Sequence, residues 1–394
     1  MAGYLISKNK ADCSGCGACV QKCHCKAISL VEDAFGFAYP SIDGFKCTHC
    51  HLCETVCPVD NEKLLSKPSS SGNCVGGFSK DFALREDSSS GGFFTGIVKA
   101  FWQDGAVVFG AEQLPDLSVV HGYAESLDGV ARFRKSKYAP SVIGDSYSTA
   151  KRFLDEGRKV IFSGTPCQIA GLLMYLGKRY DNLLAVDVVC HGYFAPLYMR
   201  KEREYYENKF ASRAVALEYR DKKGGHWRSD RVRWLFANGK CKTWKKSDAP
   251  YMRIWLKHII RRPSCEVCRF AFADRQSDIS LGDYWHISEN SPMFGGDYGT
   301  SVALGNTEKG KRVLQMLAGD YVLEEVDRAA MCRYKFALHG PTGPNPKASA
   351  ALDDLVRLTY KSFLKKYLSV TIKDRIRNLK KGLSKIIRRL SPVK

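Results

Sequence analysis

The sequence predicts an α/β protein, α+β taken whole: a mixed α/β domain behind a small cysteine-built domain and ahead of a helical, basic tail. Three observations carry this. Short apolar runs alternate with amphipathic helical stretches from Phe78 to about Pro346. Nine of the sixteen cysteines fall between Cys13 and Cys57. Nine Lys/Arg against the single Asp374 fill residues 373–394, so eight of the net +20 charges sit there.

The boundaries follow composition. Residues 1–62 are Cys- and Gly-rich and poor in long periodic segments. Residues 63–77 (KLLSKPSSSGNCVGG) have the make-up of a linker. Residues 78–346 form the large domain, and 347–394 a helical region. Within the large domain, Phe93, Phe94, Ile97, Val98, Phe101 and Trp102 share a helical face. Asp104-Gly105 then turns into a strand, Ala106 to Gly110. A helix near Tyr147 to Glu156 stops at Gly157, and Lys159 to Phe162 is the next strand. Ile169 to Leu176 is helical, and Leu183 to Val189 is a buried strand because it is almost continuously apolar. Asn238-Gly239 joins two strands in a hairpin. Ile279 to Leu281 and Ser301 to Leu304 are further strands, the latter leading into a helix over Glu308 to Leu317.

At 394 residues the chain exceeds one ordinary core, and 44% hydrophobic content excludes wholesale disorder. No run approaches the roughly 18 apolar residues of a membrane span. Met1 to Lys10 lacks the apolar core of a secretory signal. The expected location is the cytoplasm. In that reducing compartment cysteines serve as ligands or redox groups rather than bridges.

Cys13-x2-Cys16-x2-Cys19-x3-Cys23 is followed by Cys47-x2-Cys50-x2-Cys53-x3-Cys57-Pro58. Each run has the spacing of a bacterial ferredoxin, in which three cysteines bind one 4Fe-4S cluster and the fourth crosses to the other. Cys13, Cys16, Cys19 and Cys57 then hold one cluster; Cys47, Cys50, Cys53 and Cys23 hold the second. Zinc also takes Cys-x2-Cys, but in pairs rather than in a triple with an x3 cysteine, twice over. His24 stands where the first run would usually carry Pro, and Cys25 is an additional thiol.

Six further segments carry a resemblance: Ser88-Ser89-Ser90-Gly91-Gly92-Phe93, Lys135-Ser136-Lys137-Tyr138, Ser163 to Gln168, Asp187 to Gly192, Cys265-x2-Cys268 and Asp278 to Trp285. In this order they resemble the coenzyme F420 hydrogenase/dehydrogenase beta-subunit family, here behind a two-cluster ferredoxin domain. The resemblance implies an oxidoreductase, a flavoprotein passing electrons between 4Fe-4S clusters, FAD and a substrate. Coenzyme F420 itself is not implied. The family spans hydrogenase subunits, chlorophyll-pathway reductases and proteins of cell-surface polysaccharide synthesis. The competing expectation is a non-catalytic subunit that hands electrons to a partner enzyme.

The residues support a compatible reading. Cys167 and Cys190 follow strands expected to be parallel, at the carboxyl ends where open α/β sheets bind ligands. With Cys265 and Cys268 they make four, the number a third cluster needs; small core cysteines are the other reading. Ser88, Ser89, Ser90, Gly91 and Gly92 precede a helix and suit a pyrophosphate, or merely cap it. Lys135, Lys137 and Tyr138 add charge and a stacking surface, and Thr165 and Gln168 flank Cys167. His191 is the candidate proton donor, or a loop histidine beside Cys190. Asp283 closes a turn or touches cofactor. His226, Trp227, Trp234, Trp244 and Trp255 read as packing residues. Cys25, Cys74, Cys241 and Cys332 have no assigned role.

In the tail, Ile372, Ile376, Leu379, Leu383, Ile386 and Leu390 share a helical face flanked by lysines and arginines. Such a helix suits the inner, anionic face of a membrane. Docking on the large domain is the alternative. With no aromatic residue for stacking, nucleic acid is disfavoured. A redox partner protein or a small-molecule substrate completes the expected list of partners.

Overall fold

A computed structural model describes residues 3–61, 73–223, 227–228, 230–285, 287–288, 290–329, 332 and 338–369. The basic helix expected over residues 372–390 lies outside them, as do His226 and residues 63–72 of the expected linker.

The N-terminal segment is built of tight turns. Gly15 and Gly17 adopt φ of 76° and 77°, a region open to glycine. A short helix, Ala18–Lys22, follows, then an antiparallel hairpin of β1 (Ile28–Glu32) and β2 (Ala38–Ile42).

The large domain contributes β3 (Cys74–Ser79), β4 (Val107–Gln113), β5 (Val119–Ala124), β6 (Val160–Gly164), β7 (Leu183–Val188), β8 (Ala214–Asp221), β9 (Arg231–Phe236), β10 (Cys241–Lys245), β11 (Ile279–Asp283), β12 (Ser301–Gly305) and β13 (Tyr321–Val326). Eight of them form one sheet in the order β13-β3-β12-β11-β7-β6-β4-β5. Its centre, β4, β6, β7 and β11, is parallel, and the flanking pairs are antiparallel. A mixed α/β fold results. The near-continuous apolar runs of β6 and β7 are explained by burial on both faces. Phe93, Ile97, Val98 and Phe101 of the helix Phe93–Phe101 cover one face, with Val313 and Leu314. The helices Ser146–Asp155 and Pro166–Leu176 cover the other.

The structure differs from the expected linker at its end. Residues 74–77 belong to β3, an interior strand between β12 and β13. Gly76 and Gly77 read as flexible, but here they permit close approach, since a Cβ on Gly77 would overlap the Val322 carbonyl.

A second sheet, β10-β9-β8, packs its inner face on the helices Pro196–Phe210 and Pro250–Lys257. The start of the C-terminal helical region completes that core: Leu352, Leu355, Tyr360, Phe363 and Leu368 of the helices Ala348–Arg357 and Tyr360–Leu368 are buried in it.

The N-terminal segment shares a core with the large domain. Cys16, Ala18, Val56 and Val59 pack with Ile143, Tyr147, Ile169 and Phe270. The Gln21 side chain accepts from the Tyr147 and Ser148 N–H groups at 3.0 and 3.1 Å, capping the helix Ser146–Asp155 from across the junction.

Candidate functional site

In the N-terminal segment the two crossed cysteine sets come together. Burial raises the Cys16 thiol well above its ordinary value, and Cys19, Cys57 and Cys167 act on it. Cys19 is pushed up to about 12, by burial first and then by Cys13, Cys57 and Cys53. Cys57 rises to about 11, again by burial first, with Asp60 and Cys13 adding to the rise. Cys53 rises through burial and Glu54, with Cys23 and Cys50 near it. Backbone N–H groups aim at sulfur: Ala27 at Cys23 (3.2 Å) and His49 at Cys47 (3.4 Å). Such bonds offset the negative charge of cluster-bound thiolates. Cys50 is exposed, with His24 Nδ1 3.9 Å from its sulfur.

The third set assembles from three places. β6 delivers Cys167 to the start of the helix Pro166–Leu176, where Thr165 Oγ1 lies 3.2 Å from its sulfur. Cys190 follows β7 and accepts from the Gly192 N–H at 3.4 Å. The helix Pro263–Glu266 carries Cys265, which accepts from the Tyr193 N–H at 3.2 Å, and Cys268 lies just beyond it. Burial pushes Cys190, Cys265 and Cys268 up to about 12 each, and in every case other members of the set add to the rise. Burial also raises Cys167. Like charges brought together out of water resist ionisation until a cation joins them. Among the described residues no three Cys, His, Asp or Glu side chains stand close enough to hold a single metal ion. A 4Fe-4S cube does not ask for that, because each thiolate binds its own iron.

The first and third sets adjoin. Gly171, in the helix that Cys167 opens, lies against Cys16: a Cβ there would stand 3.0 Å from the Cys16 Cβ and 3.1 Å from its sulfur. The Tyr147 hydroxyl lies 2.9 Å from the carbonyls of both Cys16 and Gln168, a hydrogen-bond link between the two.

The residues expected to bind FAD also converge. Ser89 Oγ accepts from the Ser136 N–H at 2.7 Å, joining the Ser88–Gly92 turn to the segment of Lys135, Lys137 and Tyr138. Arg220, fully buried, bridges them again by donating to the Ser89 carbonyl (2.9 Å) and reaching the Tyr138 hydroxyl (3.5 Å). The same guanidinium meets Asp283 at 3.0 Å and Asp230, so Asp283 anchors a side chain rather than only closing a turn. Tyr138 packs edge-on to Trp255, whose ring lies 4.9 Å from His191. Trp255 is buried, as expected, yet it connects two site residues.

Several groups are committed elsewhere. The Ser88 and Ser90 hydroxyls donate to the Leu84 and Thr300 carbonyls, each at 2.7 Å. The Gly91 N–H donates to Ser301 Oγ at 2.8 Å. Gly92 takes φ 88° at the helix start. Thr165 and Gln168 bond to each other, and Gln168 to Ser141, so they shape the loop that carries Cys167. Lys135 is paired with Asp87 (3.2 Å) and Glu218 (3.4 Å). Lys137 differs. Burial lowers it to about 8, it donates to the Arg132 and Arg134 carbonyls, and it makes no salt bridge among the described residues. Beside it, burial pushes His121 down to about 4, and its Nδ1 has no partner among the described residues. A half-buried ammonium without a salt bridge and an orphaned imidazole nitrogen fit a phosphate-bearing cofactor.

Gly91 is held by sterics. A Cβ would run into the Gly77 carbonyl and come within 2.8 Å of Ser301 N. Gly91→Ala should therefore destabilise by roughly 1–3 kcal/mol, the usual range for overpacking, read as a lower anaerobic melting temperature. An unchanged melt would show that the turn yields.

Sequence reading missed the buried arginines Arg220, Arg261, Arg262 and Arg275. The one available signal was Arg261-Arg262 directly before Pro263 and the Cys-x2-Cys pair. Of the unassigned thiols, Cys74 is buried in β3, Cys241 is exposed on β10, Cys332 is half-buried, and Cys25 lies 3.6 Å from Cys23.

Residues 157–329 match the family model for the C-terminal part of the coenzyme F420 hydrogenase/dehydrogenase beta subunit, and residues 12–61 match the 4Fe-4S dicluster domain. No curated protein matches the chain. Among solved structures, a chain of the xenon-derivatised F420-reducing [NiFe] hydrogenase complex from Methanosarcina barkeri aligns at 17% identity over 78% of this chain and 95% of that chain, with a TM-score of 0.43. No helix among the described residues is long and apolar enough to cross a membrane. The chain therefore joins a 4Fe-4S dicluster domain of iron–sulfur electron transfer, over residues 12–61, to a domain over residues 157–329 that matches the C-terminal part of the coenzyme F420 hydrogenase/dehydrogenase beta subunit.

Proposed function

We propose that the protein is an FAD-dependent iron–sulfur oxidoreductase whose cysteine sets form a graded relay from surface to interior. Cys23, Cys47, Cys50 and Cys53 include the exposed Cys50 and form the entry. Cys13, Cys16, Cys19 and Cys57 form the middle. Cys167, Cys190, Cys265 and Cys268 hold a third cluster against the flavin seat. The observation that carries this reading is the packing of Cys16 against Gly171, in the same helix as Cys167.

Ser89, Lys137, Tyr138 and His121 would hold FAD, with Lys137 countering phosphate charge and Tyr138 offering a ring. Bound FAD supplies the conversion of single electrons into a two-electron, hydride-type transfer. His191, beside Cys190 and against Trp255, would hold a proton at the inner end of the relay. The substrate is a small molecule; reactions of cell-surface polysaccharide synthesis are one setting for such a reductase. A second reading, a subunit that passes electrons to a partner enzyme, is favoured by the fully exposed Phe45 two residues before Cys47.

Anaerobic purification should return about twelve irons per chain, three cubes of four, together with one FAD. Absence of flavin, or about eight irons, would overturn the account of the large domain. Lys137→Met should weaken FAD binding at least about tenfold, equivalent to ~1.4 kcal/mol, and leave iron unchanged. Retention of FAD at wild-type affinity would remove Lys137 from the seat.

A further inference from the structure

Arg262 has no exposed surface and, among the described residues, no carboxylate to pair with. Its Nε donates to the Cys13 carbonyl at 2.8 Å and its Nη2 to the Ala38 carbonyl at 2.9 Å. Its Nη1 is buried without a partner among them. The guanidinium lies 4.0 Å from the Tyr39 ring centroid and 5.5 Å from that of Tyr193. The ionisable groups acting on it are Cys13, Tyr39 and Tyr193, and it acts in turn on Cys167 and Cys265. A Cβ on Gly15, between Cys13 and Cys16, would stand 3.4 Å from its Cζ. Three residues later the same chain delivers Cys265.

A fully buried cation without a counter-charge is strongly disfavoured. Here the missing negative charge is placed on both sides at once, as Cys13 of the middle set and Cys167 and Cys265 of the inner set. Arg261 and Arg275 are buried as well, with partners in the large domain. Arg261 bonds to Thr342 and Gly343, and Arg275 lies 4.0 Å from Asp187.

We propose that Arg262 is a positioning residue that bridges the middle and inner clusters, raising the reduction potential of both through one shared positive charge. The inference rests on the assignment of Cys167, Cys190, Cys265 and Cys268 as cluster ligands. Each cluster gains one negative charge on reduction, and a fixed cation beside it favours the reduced form. Burial keeps salt from screening the effect. Because one group serves two clusters, their potentials shift together, which leaves the step between them unchanged. The entry set lacks such a neighbour among the described residues, so its potential is independent of Arg262.

The test is a redox titration of full-length protein followed by electron paramagnetic resonance, after iron and sulfide analysis of each variant. In Arg262→Gln, two of three potentials should fall together, each by about a tenfold change in the reduction constant, ~59 mV for one electron. The third should not move. Arg262→Lys keeps the charge but not the fork, so it should retain iron and show a smaller shift of the same two clusters. If Arg262→Gln loses iron, Arg262→Met, neutral and of similar length, decides: two potentials falling together support the bridge, and unmoved potentials overturn it. A shift confined to one cluster, or equal in all three, also overturns it. Wild-type protein with two potentials instead of three refutes the cluster assignment itself, and the bridge falls with it.

Discussion

Cys265→Ser should remove about one third of the iron, one cube of three, and leave the spectrum of the N-terminal clusters intact. Cys265 is tied firmly into its set: its sulfur accepts from the Tyr193 N–H, and its thiol feels Cys268 and Cys167. A serine hydroxyl is a harder, less acidic ligand and does not replace a thiolate on iron. With FAD seated as proposed, its reduction by electrons entering at the N-terminal clusters should then slow at least about a hundredfold, ~2.7 kcal/mol in barrier. Stopped-flow absorbance under anaerobic conditions reads this directly. Cys241→Ser is the control, since that thiol is exposed on an edge strand and should change neither quantity. Iron content equal to wild type in Cys265→Ser would refute the four-cysteine assignment.

What the sequence disclosed, and what it hid, follows from the range of the interactions. The parallel strands β6 and β7 were legible because burial on both faces demands uninterrupted apolar residues, and VIF and LLAV supply them. The N-terminal cysteine sets were legible because all their ligands lie within one short segment. β3 was not. Its Gly76-Gly77 pair has the composition of a linker, and only the neighbouring Val322 carbonyl explains why side chains are excluded there. The Ser88–Gly92 turn was found, but the destinations of its hydroxyls lie at Leu84 and Thr300, which no local pattern predicts. Gly171 sits in an apolar helix like any other until Cys16 is placed against it. Arg262 is the furthest case. In sequence it is one of sixty-one basic residues, and its meaning depends on Cys13, 249 positions away.

Glu202→Gln should stabilise the protein increasingly as pH rises. Glu202 projects from the helix Pro196–Phe210 into a core of tyrosines, where it is fully buried. Tyr198, Tyr206, Tyr219, Tyr251 and Tyr360 all feel its charge, and its Oε2 has no partner among the described residues. Burial pushes its carboxyl up to about 8 from the usual 4.5, opposed by the neighbouring Tyr360 hydroxyl. Because the folded value is raised, the folded protein keeps a proton that the unfolded chain has already released. Its contribution is therefore fully present below pH 4.5 and is lost as pH rises through the folded value of about 8. Glutamine has the same shape, carries no charge and cannot incur this loss. The stability difference between variant and wild type should widen by roughly 2–3 kcal/mol from about pH 6 to about pH 8.5. Anaerobic melting curves of the two proteins, run side by side, measure it. A difference that stays constant with pH would mean that Glu202 is ionised in the folded protein, which requires water or a cation to reach the tyrosine core.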